Sequence, residues 1–215
     1  MGQKNYLSLS MYFVSTPFWL KWLYPKCIWD KSTVGNKVLY LTFDDGPHPL
    51  ATPFVLDWLG KYNAKASFFC IGNNVAKHPA IFDTVIEEGH LVGNHTFNHM
   101  KGWGNTTSDY IEEIRLTSQY IKSDYFRPPY GRITHAQIKS IQKDTSLPQK
   151  IIMWDVLSGD FDLSLTGDCC AKNVMDHASS GSIIVFHDSQ KAWDRLHIAL
   201  PKILEHFTQL GYTFK

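Results

Sequence analysis

From residue 37 onward, short apolar runs alternate with longer segments whose apolar residues recur at helical spacing. The short runs are KVLYLTF (37–43), KASFFCIG (65–72), HLVGNH (90–95), YFRPP (125–129), QKIIMWD (149–155), SIIVFHD (182–188) and YTFK (212–215). Their length and their β-branched and aromatic content predict strands. The segments FVLDWLGKY (54–62), HPAIFDTVIEEG (78–89), TSDYIEEIRLTSQYIK (107–122), THAQIKSIQK (134–143), TGDCCAKNVMDHA (166–178) and ALPKILEHFTQLG (199–211) predict helices. Thr52-Pro53 reads as an N-cap followed by a first-turn proline, Thr107 or Ser108 as a second N-cap, and Gly89 as a C-cap. Strands alternating with helices at this spacing predict an α/β fold with a mainly parallel sheet. Seven strands suit a barrel one strand short of the usual eight, or an open doubly wound sheet. No repeat, linker or low-complexity tract divides the chain, so a single domain is expected over 37–215.

Residues 1–36 are expected to form an N-terminal extension packing on that domain. Their stretch YLSLSMYFVSTPFWL (6–20) follows Lys4 and has the apolar character of a signal segment. It also carries Ser, Thr and Pro17, no small-x-small cleavage site follows it, and it is too short and interrupted to predict a membrane span. The expected compartment is cytoplasmic by default, and the envelope or exterior if this stretch acts as a signal. Met11 is an alternative start to Met1.

Composition narrows the partners. The chain is 44% apolar and 19% charged, as in ordinary globular proteins, with a formal net charge of +1. That balance gives no electrostatic case for nucleic acid or an anionic membrane as the main partner. Aromatic residues make up 14%, which suits a sugar or other ring-bearing ligand, although most such rings belong to cores. Cys27, Cys70, Cys169 and Cys170 contain no C-x-x-C pair and do not read as a disulfide framework.

The chemistry-bearing residues collect at the C-terminal ends of the predicted strands. Asp44 and Asp45 follow the first strand, His95 and His99 the third, and Arg127 the fourth. Asp155 and Asp160 follow the fifth, His187 and Asp188 the sixth. In parallel α/β folds this is the edge where active sites are built. HTFNH (95–99) spaces two imidazoles at i and i+4, so on one helical turn both reach a single cation. A carboxylate from another strand end completes a two-His, one-Asp set that leaves positions open for water and substrate.

The adjacent pair Asp44-Asp45 is either a solvated turn or two groups with separate tasks. Strand alternation sends their side chains to opposite faces. One can then hold the cation while the other serves as base toward a water that the cation acidifies. FRPPYGR (126–132) is a proline-stiffened loop. It presents Arg127 to orient a carboxylate bidentately and a backbone N–H near Tyr130 to support an oxyanion. His187, at the end of IIVF, is the candidate general acid.

These residues resemble the polysaccharide deacetylase (NodB-homology) family of metal-dependent carbohydrate esterases. The resemblance spans about 37–215 and rests on TFDDGP (42–47), HTFNH (95–99), RPPYG (127–131), WDVLSGDF (154–161) and IIVFHD (183–188), in the family's order. It implies a distorted (β/α) barrel of about seven strands. It implies Asp44 as catalytic base, Asp45, His95 and His99 as metal ligands, and Arg127 as the residue holding the base. It further implies Tyr130 as the oxyanion N–H, and His187 as general acid tuned by Asp160. Pro128, Tyr130, Trp154, Phe161 and Val185 would contact substrate, Val185 where the acetyl methyl lies. The sequence departs from the family pattern at Phe161, often Trp, and at Val185, often Leu. Asp162 is a second candidate partner for His187. The implied activity is removal of N-acetyl groups from N-acetylhexosamines of a peptidoglycan- or chitin-like glycan. Alternatives are a non-sugar amide or O-acetyl ester substrate, or carbohydrate binding without turnover. Zinc suits the ligand set, and cobalt, nickel or manganese fit the same residues.

Overall fold

The computed structural model describes residues 12–31 and 36–215. In chain order these begin with α1 (Phe18–Leu23), β1 (Cys27–Ile28), β2 (Val38–Asp44), α2 (Ala51–Lys61), β3 (Ser67–Cys70), α3 (Gly72–Lys77), α4 (Pro79–Glu87), β4 (Leu91–Asn94) and α5 (Thr107–Thr117). They continue with β5 (Tyr125–Phe126), α6 (His135–Lys143), β6 (Lys150–Ile152), β7 (Val156–Leu157), α7 (Gly167–His177), β8 (Ile183–His187), α8 (Trp193–Gln209) and β9 (Thr213–Phe214). The strands pair in parallel in the order β1-β6-β5-β4-β3-β2-β8-β7, and β9 adds to the start of β2. Helices cover this curled sheet, giving a single-domain, distorted (β/α) barrel.

The central strands β2 and β8 are buried on both faces, which is why their runs are apolar rather than alternating. On β2, Leu39, Leu41 and Phe43 face the helices and join a cluster with Leu59 of α2 and Leu200 and Ile203 of α8. Fully burying side chains of this kind contributes roughly 1.5–3 kcal/mol each. The intervening Tyr40, Thr42 and Asp44 face the barrel interior. On β8, Ile184 and Phe186 join the helix-facing cluster, which turns Ile183, Val185 and His187 inward. The period of two therefore delivers Asp44 and His187 to the same interior face.

The strand expected over 149–155 is the shorter β6, Lys150–Ile152, and a second strand, β7, follows at Val156–Leu157. Met153 N–H still donates to Ile28 O beside β6, whereas Asp155 N–H donates to Ile183 O beside β8. The chain changes partners there, passing from β6 near one end of the strand order to β7 at the other. Residues 12–31 lie along the seam: β1 pairs with β6, Ser15 bridges to Val156, and Asp30 bridges to Ser182. Residues 1–11, and with them the question of Met1 or Met11 and the first part of the signal-like stretch, lie outside the described residues. Among the described residues no helix is long and apolar enough to cross a membrane.

Three local expectations need correction. Thr52 does not cap α2, which starts at Ala51; its hydroxyl instead accepts from His48 N–H and donates to Asp188. Thr106, not Thr107 or Ser108, caps α5 by accepting from Asp109 N–H. Helix α8 begins at Trp193 rather than Ala199, because Leu196, Ala199, Leu200 and Ile203 form one continuous buried face through Pro201.

Candidate active site

Asp44 is the last residue of β2 and is buried. Asp45 leaves the strand in the left-handed region, with φ 81°. Its N–H donates to Phe69 O, and its own carbonyl accepts from Asn74 Nδ2 at 2.8 Å. The two carboxylates consequently share one cleft: His95 Nε2 lies 4.0 Å from Asp44 Oδ2 and 3.7 Å from Asp45 Oδ1. Strand alternation predicted opposite faces; the positive φ at Asp45 overrides it. Gly46 N–H then donates to Asp188 Oδ1 at 3.0 Å. A Cβ at Gly46 would stand 2.1 Å from Asp188 Oδ2, so a side chain there would have to displace Asp188 or the loop.

His95 and His99 do not sit on a helical turn. They follow β4 in a loop with φ 61° at Thr96 and 57° at His99. Asn94 Oδ1 accepts from Thr96 N–H and Thr96 Oγ1 accepts from Met100 N–H. Glu113, buried on α5, accepts from Asn98 N–H at 2.6 Å and from Asn98 Nδ2 at 2.8 Å. The loop brings the imidazole centroids to 5.1 Å. His99 Nε2 lies 3.2 Å from Asp45 Oδ1.

His95 Nδ1 lies 2.8 Å from Arg127 O, an acceptor, so this nitrogen carries the hydrogen and Nε2 presents its lone pair to the cleft. Burial, with His99 adding, pushes the His95 pKa down to about 3, so the ring is neutral at neutral pH. Asp45, His95 and His99 each offer a ligand atom, all within 4.8 Å of one another. Asp45 Oδ1 is buried without a hydrogen-bond donor, an arrangement that is costly unless a cation completes it. Two imidazole nitrogens and one carboxylate oxygen fit a divalent ion that keeps open positions.

Beneath the cleft, Arg127 is fully buried. Its Nη1 donates to Asp44 Oδ1 and to Thr42 Oγ1, both at 2.7 Å. Its Nε and Nη2 donate to the Ile152 and Met153 carbonyls. The guanidinium therefore holds Asp44 through one N–H, not bidentately as expected, because its remaining donors tie β6. The 3-10 turn Pro129–Gly131 follows, with Tyr130 at φ 59° and its ring 4.6 Å from that of His99. Gly131 and Arg132 N–H groups close this turn onto Pro128 and Pro129; the Tyr130 N–H takes no part in those bonds.

At the end of β8, the strand beside β2, His187 meets Asp160 twice: Nδ1 with Oδ1 at 2.8 Å and the backbone N–H with Oδ2 at 2.7 Å. Burial opposes charge on His187, but the Asp160 carboxylate overrides it, with Asp45 and Asp44 adding, and raises the pKa to about 9. Asp162 accepts from Tyr12 OH instead. Asp155 accepts from Ser182 Oγ and Ile183 N–H and anchors the start of β8 rather than entering the site.

A cavity of about 570 Å³ opens over these groups. Asp44, Asp45, His95 and His99 form its polar side, with Tyr130 at the mouth. Trp154, Phe161, Val185 and His187 also line it. Pro128 is buried and is not among the lining residues, and Arg127 and Asp160 lie one layer below. The sequence reading missed Tyr12, Leu157 and Lys191, which also line the cavity. It also missed Glu113, which braces the 95–99 loop; Asp188, noted only as a strand-end residue, braces the turn at Gly46. An acid between apolar positions on the inner face of α5 was the available signal for Glu113.

The sequence model of the polysaccharide deacetylase family matches residues 31–147. A peptidoglycan-N-acetylglucosamine deacetylase of Bacillus cereus is 33% identical over 186 residues, covering 84% of this chain and 86% of that protein. The peptidoglycan-N-acetylglucosamine deacetylase PgdA of Listeria monocytogenes is 34% identical over 185 residues, covering 83% of this chain but only 38% of that longer protein. Among solved structures, a peptidoglycan N-acetylglucosamine deacetylase in complex with 4-naphthalen-1-yl-N-oxidanyl-benzamide superposes with a TM-score of 0.82 at 30% identity. That match covers 93% of this chain and 94% of that one.

Proposed function

The chain belongs to the polysaccharide deacetylase family, and from that premise we propose that it is a metal-dependent hydrolase removing N-acetyl groups from N-acetylhexosamine residues of a peptidoglycan- or chitin-like glycan. A deacetylase acting on carbon–nitrogen bonds fits its relatives' names; the residue roles rest on geometry. One observation carries the reading. Asp44 and His187 are register partners at the ends of adjacent parallel strands, and both line the cavity that Asp45, His95 and His99 share.

Asp45, His95 and His99 would hold the ion, zinc by preference, and cobalt, nickel or manganese fit the same donors. A bound divalent ion supplies Lewis acidity that polarises the amide carbonyl and lowers the pKa of water to roughly 7. Asp44, aimed by Arg127, would take the proton of the attacking water. Tyr130 N–H would donate to the oxyanion that develops on the acetyl carbonyl oxygen. His187, protonated below about 9 through its contact with Asp160, gives its proton to the departing sugar amine. Carbon–oxygen bond formation and carbon–nitrogen cleavage release acetate and the free amine. Val185, Trp154 and Phe161 supply the apolar surface for the acetyl methyl and the sugar ring. Pro128 stiffens the loop from behind. In the same reading, residues 37–215 are the catalytic domain and residues 12–31 pack along its seam.

Acetate release from chitin oligomers, peptidoglycan fragments and acetylxylan, each with defined metals, tests this reading. Release from N-acetylated glycans in a metal-dependent manner is expected. Release only from acetylxylan would replace the amide substrate with an ester, and binding without release would make the protein a lectin-like module.

A further inference from the structure

The cavity has a wall that comes from outside the family's motifs. Tyr12 lies in the segment that runs along the seam beside β7. Three backbone contacts hold that segment there: the Ser15–Val156 bridge, Thr16 N–H to Asp155 O, and Leu157 N–H to Val14 O. Tyr12 lines the cavity, its ring centroid 5.1 Å from that of Phe161, which in turn packs edge-on to His187 at 5.3 Å. The hydroxyl donates to Asp162 at 3.1 Å. Burial raises its pKa, followed by the nearby Asp162 charge, so it stays a neutral donor. A Cβ at Gly159 would stand 2.9 Å from the Tyr12 hydroxyl, so the ring sits tight on the 159–162 loop.

Leu157 and Val185 are register partners on β7 and β8 and line the same side of the cavity. With Phe161 they make an apolar recess next to the general-acid candidate. Without Tyr12, Phe161 would have solvent on its outer side. We propose that Tyr12 is a specificity-determining residue: with Phe161 it closes the far wall of the acyl recess and limits the acyl group to acetyl. The N-terminal segment is then part of the substrate site and not only a strap across the seam. The inference rests on the deacetylase reading, because it assigns an acyl group to this recess.

The prediction follows from shape. A phenyl ring at position 12 keeps the wall, and a methyl group opens it. One methylene in an apolar pocket is worth roughly 10–200-fold in discrimination. Chitotetraose carrying N-acetyl or N-propionyl groups reports it, both by kcat/KM of the zinc-loaded full chain and by equilibrium binding followed through tryptophan fluorescence. Tyr12→Ala should lower the acetyl-over-propionyl preference by roughly ten-fold, chiefly by improving propionyl binding, while Tyr12→Phe keeps the wild-type ratio. The double variant Tyr12→Ala/Phe161→Trp should regain the preference, since an indole refills the wall. An unchanged ratio in Tyr12→Ala, or equal loss of both substrates, overturns the proposal. Binding without acetate release in the wild type removes the catalytic reading, while the binding ratio still decides the role of Tyr12. Binding of neither oligomer removes both.

Discussion

Arg127 Nη1 meets Asp44 Oδ1 at 2.7 Å with both side chains almost wholly out of solvent. A buried carboxylate at this depth is stable only with its partner present. Arg127→Met should therefore destabilise the fold by about 3–5 kcal/mol, measured by urea unfolding, because it leaves Asp44 unpaired. Asp44→Asn keeps the volume and accepts the same N–H. It should lower kcat by roughly 10²–10⁴-fold, as expected for removal of a base, and should also cost stability in urea unfolding, because the buried Arg127 charge loses its counterion. Full activity in Asp44→Asn would rule out Asp44 as the base.

The division of labour between the adjacent aspartates gives a second test. Asp45 Oδ1 lies 3.2 Å from His99 Nε2, whereas Asp44 is engaged by Arg127. His99→Ala and Asp45→Asn should lose bound zinc on dialysis, and Asp44→Asn should retain it. Ligand at a hundred times its Kd stabilises the native state by about 2.7 kcal/mol. Chelation should accordingly lower the Tm of the wild type and leave His99→Ala unmoved. Equal metal loss in all three variants would refute the separation of ligand from base.

The His187–Asp160 pair sets an alkaline limit. In the fold the imidazole is raised from 6.5 to about 9, so its protonated form is favoured over that in the unfolded chain. The resulting stability is present in full below 6.5, fades as pH rises, and is lost above about 9. The kcat/KM profile should show its alkaline limb in the same range. In Asp160→Asn only burial and more distant charges act on the ring, so the limb should move to lower pH. A limb that stays in place would assign it to another group.

The barrel was legible from residue 37 because strands buried on both faces leave short apolar runs, and the site was legible because its residues follow those runs. Two things escaped. Strand β1 is only Cys27–Ile28 and is held by pairing to β6, so no periodicity of its own marks it. The left-handed residues Asp45, Thr96, His99 and Tyr130 were equally invisible, since none is glycine. Spacing alone made HTFNH look like a helical turn and Asp44-Asp45 like a strand alternation. The loop geometry reaches a common cleft by another route, through side-chain acceptors such as Asn94 and Glu113.

Gly46 and Asp188 join the two ends of the site. Asp188 is buried, which pushes its pKa up to about 8, and it accepts from Gly46 N–H and from Thr52 Oγ1. A methyl group at position 46 cannot share that space, because its carbon would fall 2.1 Å from Asp188 Oδ2. Either Asp188 abandons Thr52 or the loop lifts and carries Asp45 with it. Gly46→Ala should cost about 1–3 kcal/mol in urea unfolding and weaken zinc binding together. Removing the obstructing carboxylate in Gly46→Ala/Asp188→Ala should recover part of the stability, a coupling read from the double-mutant cycle. Additive losses would show that the two residues do not oppose each other across this contact.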